Sequence, residues 1–147
     1  MKIGDDLRLL AKPDGDFIWQ DSQKRRIFVA GGIGITPLRS ILAQRLHDNQ
    51  PLAVTLIYSS RTADIPFRHE LDRFAQSDSA FKVEYLVGAR LSAGRLNELV
   101  PGVKDSLVYL SGPEPLVEAL GDELRAAGHP DDGLKQDFFP NYTESNY

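Results

Sequence analysis

Two hydrophobic periods alternate along the chain, one typical of buried strands and the other of helices. Five short runs are the expected strands, and the first of them is apolar and partly β-branched, which is typical of a strand buried on both faces of a sheet. These runs are 27–30, 53–58, 82–87, 107–110 and 134–139. A turn signal or a polar stretch follows each of them, so we expect five separate strands.

The stretches between the strands place apolar residues three and four positions apart, which is the spacing of an amphipathic helix. The expected helices are 37–47, 64–75, 93–100 and 114–127. Asp64 is the expected N-cap of the second helix, which would turn Phe67 and Leu71 inward. The last helix would bury Leu116 and stop at Gly128.

Strands alternating with helices of this length predict right-handed βαβ units and a doubly wound α/β domain with a mainly parallel sheet. In such sheets, ligands bind beyond the carboxyl ends of the strands. The first 25 residues do not fit the alternation. A strand at 6–11, a turn cluster at 13–16 and a polar linker at 20–26 suggest the tail of another module.

Composition narrows the possible functions. The 147 residues are 41% hydrophobic and 26% charged, which suits one domain with one core. A net charge of −4 disfavours nonspecific binding to nucleic acid or anionic membranes. The absence of cysteine excludes disulfides, thiolate metal sites and a thiol nucleophile. No apolar run approaches the roughly 20 residues of a membrane span, and we expect a cytoplasmic protein.

The first candidate site is the glycine-rich run after the first strand, Gly31-Gly32-Ile33-Gly34-Ile35-Thr36-Pro37. Glycine lets the chain turn tightly and lets the backbone approach a pyrophosphate closely. Thr36 is the expected helix cap and Pro37 the expected first helical residue. The free N–H groups of the helix would then face an anion. The alternative is a tight turn that binds nothing.

The second candidate site follows the second strand and comprises Ser59, Ser60, Arg61 and Thr62. An acidic residue near this place would favour NAD, because it accepts hydrogen bonds from the ribose hydroxyl. Hydroxyls and an arginine favour a 2′-phosphate instead, with Arg68 as a second cation. We therefore expect NADP(H) in preference to NAD(H). The alternative is a solvated loop with a surface arginine.

The third candidate site is the turn after the fourth strand, with Ser111, Gly112, Pro113, Glu114 and Leu116. Gly112 permits close backbone approach, and the prolines start the next helix. Its place at a strand end beside the glycine run makes this turn a candidate wall for the nicotinamide. A plain strand-to-helix turn is the alternative.

Other candidate side chains are weaker signals. His47, His69 and His129 have no metal-ligand spacing, so we expect surface positions and no metal site. The aromatic residues near the carboxyl end would pack in the fold or stack on a flat ring ligand. They are Phe138, Phe139, Tyr142 and Tyr147.

From about residue 27 to its end, the chain resembles the pyridine-nucleotide domain of the ferredoxin–NADP reductase family. The run from Gly31 to Pro37 looks like the G-G-x-G-x-T-P motif of that family. Ser111-Gly112-Pro113 is similar to its C-G-P motif, with serine in the cysteine position. The segment 138–142 resembles its carboxyl-terminal aromatic segment, which often lies near the flavin.

The resemblance implies a strand order of 3-2-1-4-5 and division into a flavin-barrel remnant at 1–25 and an NAD(P)-binding domain at 26–147. FAD or FMN would be held by another domain or subunit. Ser60 and Arg61 would contact the 2′-phosphate, and Ser111 would be the candidate catalytic residue beside the nicotinamide. Electrons would pass to a ferredoxin, an oxygenase or a small electron carrier.

Two other functions compete with the reductase. One is a dinucleotide-binding regulatory module or inactive fragment without catalysis. The other is a flavodoxin-like or receiver-like domain, which would need acidic residues where Gly31 and Gly32 stand.

Overall fold

The computed structural model describes residue 15 and residues 17–140. The strand expected at 6–11, most of the turn cluster at 13–16, and Tyr142 and Tyr147 lie outside those residues. None of the described helices is both long and apolar enough to cross a membrane.

The described residues form one five-stranded parallel sheet with the order β3-β2-β1-β4-β5. The strands are β1 (Arg26–Gly31), β2 (Val54–Ser60), β3 (Lys82–Val87), β4 (Leu107–Pro113) and β5 (Leu134–Phe139). The helices are α1 (Ile35–His47), α2 (Arg68–Ser77), α3 (Ala93–Leu99) and α4 (Glu114–Ala126). The predicted fold class and strand order are thus confirmed.

Two hydrophobic clusters, one on each face of the sheet, form the core. Along β1, Ile27 and Val29 join the cluster that contains buried residues of α3 and α4. Phe28 and Ala30 join the other cluster, which contains buried residues of α1 and α2. Because side chains alternate across a strand, a continuous apolar run covers both faces.

Helix α2 begins later than its pattern predicts. Asp64 does not cap it, and the N-cap is Phe67, whose φ of 63° lies in the left-handed region. Pro66 disfavours helical backbone at Ile65, so the helix cannot run through this stretch. The expectation that Phe67 points inward is wrong, since 41% of this residue is exposed, whereas Leu71 is buried as predicted.

The helix after the glycine run begins earlier than predicted. A 3₁₀ turn at Gly32–Gly34 leads directly into α1, so Pro37 is the third helical residue instead of the first. Thr36 does not cap the helix, because its hydroxyl donates to the carbonyl of Ile33 at 2.9 Å. Pro37 still lies in the first turn, where a missing N–H costs little.

The residues before β1 lie against the sheet. We define residues 17–22 as the strap. The Tyr109 hydroxyl on β4 donates to the carbonyl of Ile18 at 2.8 Å and accepts from the amide of Gln20 at 3.0 Å. The Trp19 ring is flanked by the guanidinium groups of Arg26 at 4.2 Å and Arg45 at 3.6 Å from its centre. The expected linker is therefore held in place.

The three histidines differ in burial. His47 and His69 are exposed, as predicted. His129 is buried, which corrects the expectation of a surface position. Each of its ring nitrogens lies 3.0 Å from a carbonyl oxygen, one of Ser106 and one of Pro130.

Candidate functional site

The three candidate segments meet at the carboxyl edge of the sheet. In the β1–β2 register Gly31 is opposite Ser59, and in the β1–β4 register Ala30 is opposite Ser111. Because all strands are parallel, the turns that follow β1, β2 and β4 leave the sheet on the same side.

Glycines bring the turn after β1 against the end of β4. A Cβ at Gly34 would clash with the backbone carbonyl of Ser111. A Cβ at Gly112 would lie 3.1 Å from the carbonyl oxygen of Gly31. Gly32 has a φ of 49°, a left-handed conformation that favours glycine. The absence of side chains at Gly34 and Gly112 therefore serves packing within the protein.

Two adjoining cavities open at this edge. The first cavity has a volume of about 450 Å³ and the second about 340 Å³. Gly32, Ser60 and Arg61 line both of them. Further predicted residues line one cavity each: Gly31, Ser59 and Leu116 the first, and Thr36 the second. The residues expected after β1 and β2 thus share one continuous groove.

Arg61 is the cation at the junction of the two cavities. It is exposed and makes none of the ion pairs found among the described residues. The Ser60 hydroxyl donates to the carbonyl of Thr62 at 2.9 Å, which holds the loop beside it. A guanidinium without a carboxylate partner can accept a phosphate with little competition.

Other predicted residues lie outside both cavities. Arg68 stacks 4.5 Å from the centre of the Tyr85 ring and approaches Asp72 at 4.0 Å. Gly34, Gly112 and Pro113 are buried, whereas Pro37 and Glu114 are half-buried. Ser111 is 1% exposed, and its hydroxyl has no hydrogen-bond partner among residues 17–140.

Asp137 is a candidate that the sequence analysis missed. It is opposite Ser111 in the β4–β5 register, and paired residues of parallel strands face the same side of the sheet. Burial raises the pKa of its carboxyl group. The sequence signal that could have identified Asp137 is that it is the only carboxylate in β5, the edge strand.

The end of β3 also contributes to the site. Gly88, Ala89, Arg90 and Leu91 line the first cavity, and Arg90 pairs with Glu123 at 2.9 Å. Asp64 lines the second cavity. The rule that ligands bind just after the strands predicts a role for the residues after β3. Asp64 is instead predicted as a helix cap, so its sequence pattern does not indicate a place in the cavity.

The donor set of the groove fits a pyrophosphate. Helix α1 has 13 residues, has no acidic residue in its first turn, and begins at Ile35, directly after the 3₁₀ turn whose Gly32 lines the groove. The N–H of Ile35 is bonded within the 3₁₀ turn, so the positive end of the helix dipole is the feature that favours an anion there. Within the described residues, no group of three histidine, aspartate or glutamate side chains is arranged to hold a metal ion.

The chain is similar in sequence to known oxidoreductases that contain an NAD-binding domain. Residues 28–122 match the oxidoreductase NAD-binding domain family. The chain is 35% identical over 125 residues to the carnitine monooxygenase reductase subunit of Escherichia coli, covering 84% of this chain and 37% of that protein. It is 28% identical to flavohemoprotein A of Dictyostelium discoideum over 145 residues, covering 95% of this chain and 36% of that protein.

A nitrate reductase [NADH] sequence from Lotus tetragonolobus is 36% identical over 124 residues, which cover 73% of this chain and 78% of that sequence. The FAD/NAD-binding domain of nitric oxide dioxygenase from Vibrio cholerae has a similar fold, with a TM-score of 0.72 and 22% identity. That likeness covers 86% of this chain and 56% of the solved one. The chain thus spans little more than a third of the length of the first two relatives.

Proposed function

This chain belongs to the oxidoreductase NAD-binding domain family, and we propose that it binds NADPH or NADH and positions the nicotinamide for hydride transfer with a flavin. The observation that carries the proposal is the shared lining of the two cavities by Gly32, Ser60 and Arg61. These residues come from the ends of two adjacent strands and combine backbone donors, a hydroxyl and a cation. A dinucleotide is long enough to cross such a junction from one cavity to the other.

In this proposal the protein supplies binding and orientation. The N–H groups at Gly32 and Thr36, which line the groove, hold the pyrophosphate at the start of α1, whereas buried Gly34 permits the close packing of the turn on β4. The predicted turn at Ser111–Pro113 is the carboxyl end of β4, and in this proposal that strand end and Leu116 border the nicotinamide and limit its movement. The bound nicotinamide supplies the hydride, and transfer between two rings needs close, fixed placement more than a general acid or base.

The proposed preference for NADPH rests on Ser60 and Arg61. A 2′-phosphate at the junction would meet an arginine that has no carboxylate partner among the described residues. Arg90 adds a second cation to the first cavity. Asp64 in the second cavity opposes the preference, because a carboxylate repels phosphate and can accept from a ribose hydroxyl.

The flavin would be FAD or FMN held by another domain or subunit, and the electrons would pass on to a redox acceptor such as a ferredoxin, an oxygenase or a small electron carrier. The relatives include a monooxygenase reductase subunit and a flavohemoprotein, which supports this assignment. We assign this chain the nucleotide half of such a system.

Titration with NADPH and NADH tests the proposal. We expect Arg61→Ala to weaken NADPH binding by roughly 1.5–3 kcal/mol, the usual worth of a hydrogen bond to a charged group, and to affect NADH less. Arg73→Ala is the matched control, because Arg73 is also exposed and lies outside both cavities. Equal affinity of the parent for the two nucleotides contradicts the NADP preference. Absence of binding to both contradicts the function.

A further inference from the structure

A separate cavity lies at the amino edge of the sheet, opposite the groove. It has a volume of about 530 Å³ and is lined by residues that precede or begin β1, β2 and β3. We define this cavity as the basic cleft, because four of its lining residues are cations and none of its described lining residues is acidic. The cations are Lys24, Arg25, Arg26 and Lys82. A chain with a net charge of −4 thus has a concave surface of the opposite sign at this edge.

The positive charges of the basic cleft are not neutralised within the described part of the chain. None of the ion pairs found among residues 17–140 includes any of the four cations. Lys24, Arg25 and Lys82 are exposed, and Arg26 is half-buried. Cations of one sign that share a cleft repel each other, so an anionic ligand relieves this repulsion as it binds.

The two arginines are held in place and keep unused donors. Arg26 donates through Nε and Nη2 to the carbonyl of Gln20, and through Nη2 to that of Ser22, at 2.8–3.2 Å. Arg25 donates through Nη2 to the carbonyl of Pro101. The Nη1 group of each arginine donates to none of the described residues. A fixed guanidinium with unused N–H groups binds a carboxylate with little further loss of side-chain entropy.

The spacing of the cations favours an extended anion with several charges. Arg26 is opposite Val54, and Lys82 is opposite Thr55, so two strand spacings separate Arg26 from Lys82. Two spacings amount to about 10 Å between the backbones. A small anion would meet one or two of the cations. An extended acidic peptide presents carboxylates about 7 Å apart on one face, so it can meet several of the cations at once.

We propose that the basic cleft is a docking site for an extended acidic segment of a partner protein. This interaction goes beyond the proposed function, because the cleft and the groove lie at opposite edges of the sheet and share no lining residue. The partner and the nucleotide can therefore be bound at the same time. Electrostatic attraction of this kind steers the encounter and selects partners by charge.

A nucleic acid fits the basic cleft less well than an acidic peptide. Carboxylates flank the cleft, since Asp21 directly precedes the lining residue Ser22, and Asp78 accepts a hydrogen bond from the amide of the lining residue Ala80. A nucleic acid long enough to fill the cleft would carry its phosphates past these carboxylates and be repelled.

Fluorescence polarisation of a labelled decaglutamate peptide with the full chain tests the proposal. We expect the parent to bind the peptide at low ionic strength and to release it as salt is added, because exposed charges are screened. Lys24→Ala/Lys82→Ala should weaken binding about tenfold through the loss of two exposed ion pairs. Neither lysine is part of an ion pair among the described residues, so the melting temperature should not change.

Arg73→Ala/Arg95→Ala is the matched control, because it removes the same charge from exposed residues outside the cleft. It should bind the peptide as the parent does, and NADPH should not displace the peptide. Absence of binding to the parent, equal losses in the two double variants, or displacement by NADPH contradicts the proposal. Tighter binding of an oligothymidylate than of the peptide would also overturn it. The proposed function is tested separately by the nucleotide titrations.

Discussion

The two ends of the sheet differ in how completely their buried polar groups are paired. At the amino end, the Tyr109 hydroxyl makes two hydrogen bonds to the strap, and buried His129 lies 3.0 Å from two carbonyl oxygens, at least one of which accepts its ring N–H. At the carboxyl edge, the buried hydroxyls of Tyr58 and Ser111 have no partner among the described residues. Left-handed backbone does not separate the two ends, since Asn49 and Ala53 before β2 adopt it as well as Phe67 before α2.

The unpaired hydroxyls indicate that the carboxyl edge of the sheet gives up some folding stability for function. Buried polar groups are normally hydrogen-bonded, and an unpaired one costs free energy. The amino end obeys this rule and holds the strap in place. The carboxyl edge leaves hydrogen-bonding capacity unused beside a groove, which is expected where a ligand or a second module completes the site.

The largest expected effect comes from the close approach that joins the glycine turn to β4. Gly34→Ala should destabilise the protein by more than about 3 kcal/mol, because its Cβ would clash with a backbone carbonyl that cannot rotate away. Urea unfolding measures the change. Gly94→Ala is the control, since Gly94 lies in α3 and its Cβ would meet only the Ser92 hydroxyl at 3.9 Å. A small effect of Gly34→Ala would show that the turn can shift.

The next prediction compares two buried tyrosines. Tyr109→Phe removes two hydrogen bonds and leaves a carbonyl and an amide of the strap unpaired, which should cost about 1–3 kcal/mol. Tyr58→Phe removes a hydroxyl without a partner and should be neutral or stabilising. Urea unfolding of both variants gives the comparison.

Trp19 is the only tryptophan of the chain, so its fluorescence reports the strap directly. Acrylamide should quench it more strongly in Tyr109→Phe and equally in Tyr58→Phe and the parent. Equal destabilisation by the two substitutions would remove the contrast between the two ends.

The smallest expected effect concerns Asp137, whose pKa is raised by burial. Ionisation is then less favourable in the folded state, so the stability that the neutral carboxyl provides is lost as pH rises through its folded pKa. Asp137→Asn should therefore raise stability at pH 7 and give no gain below about pH 4, the unfolded value. Thermal unfolding across that range checks the sign. A loss of stability at neutral pH would indicate an ionised, stabilising carboxylate.

The alternation of apolar runs and helical patterns was enough to predict the parallel sheet, because both periods are local properties of the chain. The same local reasoning located the carboxyl ends of β1, β2 and β4, although Ser59, Ser60 and Ser111–Pro113 are strand residues and not the predicted turns. It also identified Arg61 and the glycine run. Assignment of roles within the groove remains a prediction for these residues.

Only the tertiary structure decided how distant residues meet. Gly34 is a glycine because the carbonyl of Ser111 approaches it, and no window of sequence around Gly34 contains that contact. His129 can be buried because the carbonyl oxygen of Ser106, 23 residues earlier in the chain, lies within hydrogen-bond distance of its ring. Pro66 moved the start of α2, which turned Phe67 outward and brought Asp64 into the second cavity. Local patterns determine which elements form, whereas close packing in three dimensions decides which side chains become a site.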